Sequence, residues 1–400
     1  MKSDKRIPLF LILRHLRRAN KWTFALIIVL LAVAFINLIF INSLFNGVIE
    51  SNNNQIVAFR TGNIDLTPAE GQEYINDPER VVREIEKVKG VRVAAPETDV
   101  PGSLDFNGAK GDYSVTAIDP DSEKRATEVA KKMVKGSYLD PEDREGIIIG
   151  AEIAGEKDNG AKNLSFSGVR VGDELTLAVG SQKRDFTVRG VFRTKSNQAD
   201  DRTFITRAAL QSLAPELSGR ASNIIIRTDN TGMEKEMVAR LKAAGVNGTF
   251  VTWQEVAESL KTLTDSFVTI NALLTIVGFF IAAVTIFIII YVDITHRRQE
   301  IGILRAVGIK SNLVVSTYVL QGAVYTFFGV TLGTALYFGC IYPYFRAYPF
   351  QIPIGDVTLT VSPGDFVFRA LTVVAVGVLS ALIPAIIATR KGILDDILGR

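Results

Sequence analysis

The chain has 400 residues, 45 of them basic and 42 acidic, a near balance that predicts no nucleic-acid partner. Its apolar residues, 48% of the total, are gathered into long runs, which excludes an ordinary soluble protein of two or three domains. The single cysteine, Cys340, falls inside one such run, so the polar part of the chain is expected to fold without disulfides, on a core that about 200 residues can bury.

Residues 1–22 form a basic segment holding Lys2, Lys5, Arg6, Arg14, Arg17, Arg18 and Lys21. The apolar run that follows, placed at 23–46, exceeds the roughly 7–15 residue core of a cleavable signal and lacks a small-residue cleavage site after it. It reads as a retained membrane anchor.

Residues 47–262 have soluble composition and mixed patterning, expected to form an extracytoplasmic α+β domain. "NIDLTP" reads as a strand. "DPERVVREIEKVKG" reads as a helix, with Asp77 as N-cap, Pro78 in the first turn and Gly90 past the end. "VRVAAPETDV" and "GDYSVTAIDP" read as strands with "NGAKG" turning between them. From 136 to 220 the chain becomes strand-rich, with "REGIIIGAEIAG", "VGDELTLAV" and "DFTVRGVFRT", and "GSQKR" as a hairpin turn. "NIIIRTD", a helix near 231–244 and "NGTFVT" then restore the strand–helix–strand order. This predicts two lobes: one from 47–135 with 221–252, and a β-rich lobe of 136–220 inserted between those halves.

Thr252 and Glu255 in "TWQE" have capping-box spacing, which starts a helix at 253. No proline or glycine interrupts it before the second apolar run, 266–292, so residues 253–265 are expected to form a stalk helix continuous with that run. A single helix from 253 to 296 would span about 66 Å, roughly twice the ~30 Å hydrocarbon core.

The loop 293–312 contains "HRRQEIGILRAVGIKSN". Spacing places Ile301, Leu304 and Val307 or Gly308 on one side of a short helix, with Arg297, Arg298, Glu300 and Arg305 elsewhere. From the residues alone, two readings stand: a lateral helix offering charge to a cytoplasmic partner, or a loop whose arginines only enforce orientation.

The third run, 313–341, contains Gly329 and Gly333, small residues four apart that suit close helix–helix contact, within one bundle or between two copies. The loop 342–365 holds only Arg346 among basic residues; the fourth run, 366–389, carries Pro384, expected to kink it; residues 390–400 are a basic tail. Asn37, Asn42 and Asn271 could bond between helices or line a polar path. The basic residues alternate across every crossing, so the termini and the 293–312 loop are expected in the cytoplasm and 47–262 outside. The fold class expected is an integral membrane protein with four transmembrane helices and a large extracytoplasmic α+β domain.

Chemistry is largely excluded. The only histidines, His15 and His296, lie at membrane edges, which rules out a Ser-His-Asp site or a His-based metal site in the outer domain. A Ser-Lys pair stays open, with no local signature pointing to one. "DPDSEK" lacks the glycine and glutamate of a calcium loop at Lys124 and Ala130, and reads as a solvated turn. No G-x-x-x-x-G-K-[ST] occurs, so the chain has no such ATP site, and few ionisable residues lie mid-membrane, which argues against ion-coupled transport.

The run "RRQEIGILRAVGIK" resembles the loop signature of the FtsX-like permeases of ABC transporters, which include MacB-type and LolC-type proteins. Glu300, Gly302, Ile303, Leu304, Arg305, Ala306 and Gly308 stand at the family's glutamate, Gly-Ile-Leu-Arg-Ala and closing glycine. "LILRHLRRAN", "GIIIGAEIA", "VGDELTL", "VRGVF" and the tail "PAIIATRKGILDDILGR" resemble the family elsewhere.

The resemblance implies a coupling helix that docks on a cytoplasmic ABC ATPase through Arg297, Arg298, Glu300, Gly302, Leu304, Arg305 and Gly308. It implies two permeases and two ATPases per complex, and a porter-like lobe beside the inserted β-rich lobe. This chain would be non-catalytic, with no cofactor of its own and ATP and Mg bound by the partner. MacB-type proteins carry the ATPase ahead of the first span; with some twenty residues there, a separate ATPase chain is expected. Further expected partners are a second permease subunit, membrane lipid and an extracytoplasmic adaptor.

The function implied is a permease subunit of the cell membrane that works by mechanotransmission on a lipid, lipoprotein, peptide or small molecule. The rival readings are an ATP-driven signalling or scaffold subunit that regulates a cell-envelope enzyme, and a passive membrane-anchored adhesion or assembly protein.

Overall fold

The computed structural model describes residues 21–155, 165, 166, 168–259, 261–352 and 355–390. The basic segment before Lys21 and the tail after Arg390 lie outside the described residues. The chain divides into two compact units, one drawn from 1–48, 263–350 and 357–400, the other from 49–262 and 351–356.

The first unit is helical. Among the described residues, four helices are long and apolar enough to cross a membrane. The first helix, Lys21–Phe59, extends well past the expected run. The second is Lys261–His296, and the third is Ser311–Leu336, continued by a π-helical stretch Tyr337–Ile341 and a short helix Tyr342–Ala347. The fourth, Pro363–Arg390, carries Pro384 within it. A helix Trp253–Ser259 precedes the second membrane helix in the chain; residue 260, on which continuity of the expected stalk 253–265 depends, lies outside the described residues.

Small residues set the helix spacing. A Cβ on Gly322 would sit 2.6 Å from the Ala381 Cβ, and one on Gly377 would run into Thr326, so the third and fourth helices approach where neither has a side chain. Asn271 donates to Asn42 (3.0 Å), and Arg369 donates to Asn42 (2.6 Å) and Thr275 (2.9 Å), tying the first, second and fourth helices together. Asn37 is exposed. Arg369 was not singled out by its sequence position.

The second unit is built on a ten-stranded sheet among the described residues. We number its strands β1 (Ile64–Thr67), β2 (Val91–Phe106), β3 (Ala109–Ile118), β4 (Met133–Gly136), β5 (Gly146–Gly150), β6 (Glu174–Val179), β7 (Gln182–Phe192), β8 (Thr203–Thr206), β9 (Asn223–Thr228) and β10 (Thr249–Thr252). Their order is β10-β1-β9-β2-β3-β8-β5-β7-β4, with β6 bridging β2 and β7. The β3–β8 and β5–β7 pairs are parallel and the others antiparallel.

Local chemistry accounts for several elements. Asn107 and Gly108, both at positive φ, form the two-residue turn that pairs Phe106 with Ala109, the conformation an Asn-Gly hairpin requires. The Asp77 side chain accepts from the Arg80 amide and Pro78 occupies the first turn of helix Pro78–Glu86. Thr252 and Glu255 close a reciprocal cap, Glu255 amide to Thr252 Oγ1 at 3.3 Å and Thr252 amide to Glu255 Oε2 at 2.8 Å.

Two expectations change. "DPDSEK" is not a solvated turn: Asp119 caps a helix, Pro120–Ala126, whose Ser122 and Glu123 are buried. In "REGIIIGAEIAG" the strand stops at Gly150 and a helical turn, Ala151–Ala154, follows; Gly150 lies against the backbone of Asp200, where no side chain fits.

Apolar residues gather in separate cores. Ile64, Leu66, Val81, Ile85, Ile224, Ile226, Met237 and Leu241 pack on the β1/β9 part of the sheet. Leu104, Val115, Ile147, Phe166, Leu175, Phe186 and Ile205 pack together elsewhere, so β2 runs from one core, at Ala94, into the other, at Val100 and Leu104. A third core joins Phe59, Ile118, Leu139, Ile148, Phe192 and Phe204.

Candidate functional site

The loop between the second and third membrane helices folds as a nine-residue helix, Arg298–Ala306. Its end follows from Gly308. The Gly308 amide bonds the Arg305 carbonyl (3.0 Å) and the Ile309 amide bonds the Leu304 carbonyl (3.0 Å), a paired closure that needs positive φ at the glycine, here +101°. Lys310 is then extended and Ser311 opens the third membrane helix.

Ile301, 4% exposed, seats this helix among Ile290, Ile294, Val314 and Tyr318, and Gly302 is buried beside it. Leu304, Arg298 and Arg305 are half-buried. Spacing puts Val307 or Gly308 on the side of Ile301 and Leu304; both are exposed, Val307 at 82%. The helix ends at Ala306, so Val307 is a cap residue beyond the stripe that its spacing suggests.

Arg297 turns inward. Its Nε lies 3.0 Å from Asp293 Oδ1, and Asp293 Oδ2 accepts from Gln321 Nε2 at 2.8 Å. Gln321 also donates to Tyr325 (2.7 Å). The start of the lateral helix is thereby tied to both helices that flank it. Exposed on its free side are Glu300, Ile303 (55%), Ala306 and Val307, a mixed apolar and acidic face. Asp293 and Gln321 escaped sequence reasoning, although an acid four residues before an arginine on a helix is a readable pair.

Gly329 and Gly333 of the third membrane helix face the first. Cβ atoms there would fall 2.6 Å from the Leu31 Cβ, and 3.0 Å from both the Ala32 carbonyl oxygen and the Phe35 ring.

The second unit contains a cavity of about 680 Å³ that the sequence did not reveal. It is lined by the end of helix Lys21–Phe59, by β1, β2, β3 and β9, and by the segment from Ser196 to Arg202. At its wall, Glu97 is buried at 2% exposure and is met by Arg202 Nη2 at 3.4 Å. The same nitrogen reaches Thr116 Oγ1 (3.0 Å) and Asp99 Oδ1 (3.8 Å), and Thr116 Oγ1 donates to Asp99 (2.6 Å). Asn223 Nδ2 donates to Asp65 Oδ1 (2.9 Å) and Glu97 Oε2 (3.3 Å).

Burial sets the electrostatics of this group. It pushes Glu97 well above the usual carboxylate range despite Arg202, and Asp65 up to about 6 despite its bond from Asn223. Glu123, just behind, is raised to about 7 by burial, with both carboxylate oxygens unbonded. Burial works against the charge of Arg202, but Glu97, Asp99 and Glu123 outweigh it, so the guanidinium stays protonated.

Comparison with known proteins agrees with this architecture. Residues 24–244, more than half of the chain, match the MacB-like periplasmic core domain, and residues 272–393 match the FtsX-like permease C-terminal family. An uncharacterized ABC transporter permease of Methanocaldococcus jannaschii is 22% identical over 268 residues, covering 64% of this chain and 63% of that protein, so the chain spans under two thirds of its length. The periplasmic region of MacB from Actinobacillus actinomycetemcomitans aligns at a TM-score of 0.38 and 13% identity, covering 52% of this chain and 95% of that one. The extracellular domain of the noncanonic ABC-type transporter YknZ from Gram-positive bacteria aligns at 0.34 and 12%, covering 47% and 97%. On the match over 24–244, joined to the permease match over the last three membrane helices, the chain belongs to the MacB/FtsX-like family of ABC transporter permeases.

Proposed function

We propose that this permease transmits ATP-driven movement from a cytoplasmic ABC ATPase to its periplasmic domain, where substrate is acted on. The observation that carries the reading is the lateral helix Arg298–Ala306: anchored by Ile301 and by Arg297 on Asp293, it leaves Glu300, Ile303 and Val307 uncovered. A helix fixed at its base, with a mixed apolar and acidic free side, suits a partner that pushes on it. Arg298, Gly302, Leu304, Arg305 and Gly308 then shape and flank the docking element, and Arg297 serves as its joint.

In this reading residues 1–22, 293–312 and 390–400 are cytoplasmic, following the basic residues at the span ends. The chain carries no Walker A sequence, so ATP and Mg are bound by the ATPase subunit. A second permease subunit completes the complex, and the residues 47–135 with 221–252 form a porter-like lobe beside the β-rich 136–220. The core around Ile64, Leu66 and Ile224 lies wholly within the first set of residues, whereas the other core joins Leu104 and Val115 of that set to Ile147, Phe186 and Ile205 of the β-rich segment. Movement of the lobes acts on cargo at the outer face, with no wide channel through the helices.

The test is co-purification of an ABC ATPase, identified by mass spectrometry, from native membranes. Ile303→Glu with Val307→Glu should abolish it while membrane insertion and expression stay intact. Stoichiometric ATPase on the double variant would overturn the docking reading.

A further inference from the structure

The docking reading makes no use of Arg369, a cation on the fourth membrane helix set among Phe366, Val367, Phe368, Ala370 and Leu371. Its level in the membrane follows from helix geometry. Arg369 stands 21 residues before Arg390, Asn42 stands 21 residues after Lys21, and Thr275 stands 21 residues before His296. At 1.5 Å per residue each interval is about 32 Å, against a hydrocarbon core of ~30 Å. With Lys21, Arg297 and Arg390 at the cytoplasmic edge, as in the orientation adopted above, three helices agree on the place where these side chains meet. It is the outer boundary of the hydrocarbon core.

Arg369 does not leave that level for water. A snorkelling arginine extends its head group away from the bundle. This one turns in, with Nη2 on Asn42 Oδ1 at 2.6 Å and Nη1 on Thr275 Oγ1 at 2.9 Å. Asn42, buried, is fixed in turn by Asn271 Nδ2 at 3.0 Å. These bonds orient the guanidinium without neutralising it, because both acceptors are uncharged. They use two of its five N–H donors. Among the described residues Arg369 forms no ion pair; Asp365, one turn outward on the same helix, is exposed and out of ion-pair reach. The arginine itself is only half-buried, and Phe368 beside it and Ile276 beside Thr275 are exposed.

A charge at the edge of hydrocarbon is costly without a counter-ion. A bilayer supplies one anion at this depth, the phosphate of its own lipids, which lies just outside the acyl chains. Its two free oxygens match the planar guanidinium fork. A soluble anion would have to enter the edge of the hydrocarbon to reach the same donors.

We propose that Arg369, oriented by Asn42 and Thr275, binds the phosphate of an outer-leaflet phospholipid whose acyl chains run inward along the second and fourth membrane helices. The site rests on the orientation given in the functional reading and not on ATPase docking. It is tested without an ATPase, so either can fail alone.

The experiment titrates the delipidated full chain in detergent with dioleoylphosphatidylglycerol, read by native mass spectrometry, and repeats the titration with dioleoylglycerol, which has the same chains and no phosphate. We expect the first phosphatidylglycerol to bind at least about tenfold more tightly than the first dioleoylglycerol. Arg369→Gln should weaken phosphatidylglycerol by about tenfold and leave dioleoylglycerol unchanged, a split that a merely loosened helix bundle would not produce. Arg346→Gln, which removes an exposed cation of the loop before the fourth helix, should leave both affinities unchanged. Sodium phosphate at millimolar concentration should not displace the lipid. If Arg369→Gln fails to fold, judged by its thermal midpoint, the same comparison is made on Arg369→Lys, which keeps the charge, loses the fork and should weaken phosphatidylglycerol alone by a few-fold. Equal affinity for the two lipids, unchanged phosphatidylglycerol binding by the Arg369 variant, loss of that binding in Arg346→Gln, or displacement by free phosphate would overturn the assignment.

Discussion

Asp293 and Arg297 form an ion pair one helical turn apart, Nε to Oδ1 at 3.0 Å, and Asp293 holds Gln321 of the next membrane helix with its other oxygen. The acid is thus the knot between the second helix, the lateral helix and the third. Asp293→Ala would leave Arg297 and Gln321 without that acceptor. The pair is partly solvated, so the expected cost is only about 1–2 kcal/mol. Its consequence is local. Hydrogen–deuterium exchange across 298–306 should speed up several-fold in Asp293→Ala, while exchange in β2 and β9 is unchanged. Unaltered exchange in the lateral helix would show that the knot does not hold it.

Gly308 is where the lateral helix must stop. With φ at +101° and two closing amide bonds, any L side chain there is strained. Gly308→Val should destabilise the turn by about 1–2 kcal/mol or more and reduce ATPase co-purification, since the third membrane helix would start from a displaced Lys310. Nothing lies within 4 Å of a Cβ at this position, so the effect would come from backbone conformation alone. Wild-type co-purification by Gly308→Val would argue that the docking face tolerates a reshaped exit.

How much of this was readable before folding depends on the range of the signal. The membrane runs, the Asn107-Gly108 turn, the Asp77 cap and the Thr252–Glu255 box are all local, and each forms where the residues point. The helix at Pro120–Ala126 was also locally coded, by Asp119 and Pro120, but its shortness let it pass for a turn. Glu97 and Arg202 could not be paired from sequence, because 105 positions separate them and only the β2–β3–β8 order brings them together. In the lateral helix, spacing found Ile301 but misplaced Val307. Periodicity continues past a helix end that backbone closure at Gly308 imposes. Arg369 was hidden by its apolar surroundings, and its partners Asn42 and Thr275 come from other helices.

Glu123 makes the domain sensitive to pH in an unusual direction. Its ordinary value of 4.5 is raised to about 7 by burial, so the folded state binds its proton more tightly than the unfolded chain. Below about pH 4.5 both states are protonated and the group contributes no difference. As pH rises from there to about 7, the unfolded chain loses its proton first and stability falls, by at most ~3 kcal/mol, levelling off above. Asp65 and Glu97 act in the same sense. The unfolding midpoint of the purified chain should therefore be higher at pH 5 than at pH 8, and Glu123→Gln should narrow the gap by stabilising the pH 8 state. A midpoint that rises with pH between 5 and 8 would contradict the buried, proton-holding carboxylates.

Gly329 and Gly333 face the first membrane helix, and the space there is graded. A Cβ at 329 would lie 2.6 Å from the Leu31 Cβ, and one at 333 would be 3.0 Å from the Ala32 carbonyl oxygen. The Leu31 Cβ is bonded to its own main chain and cannot step aside as the far end of a long side chain can, so the closer approach at 329 is the harder one to relieve. Gly333→Ala should therefore cost less than Gly329→Ala, and Leu at either position more than Ala, with overpacking of about 1–3 kcal/mol. Thermal unfolding of the detergent-solubilised chain orders the four variants. If Gly329→Leu and Gly333→Leu melt like the wild type, the two helices do not meet through these glycines, and the small-residue stripe is free to serve contact with a second copy instead.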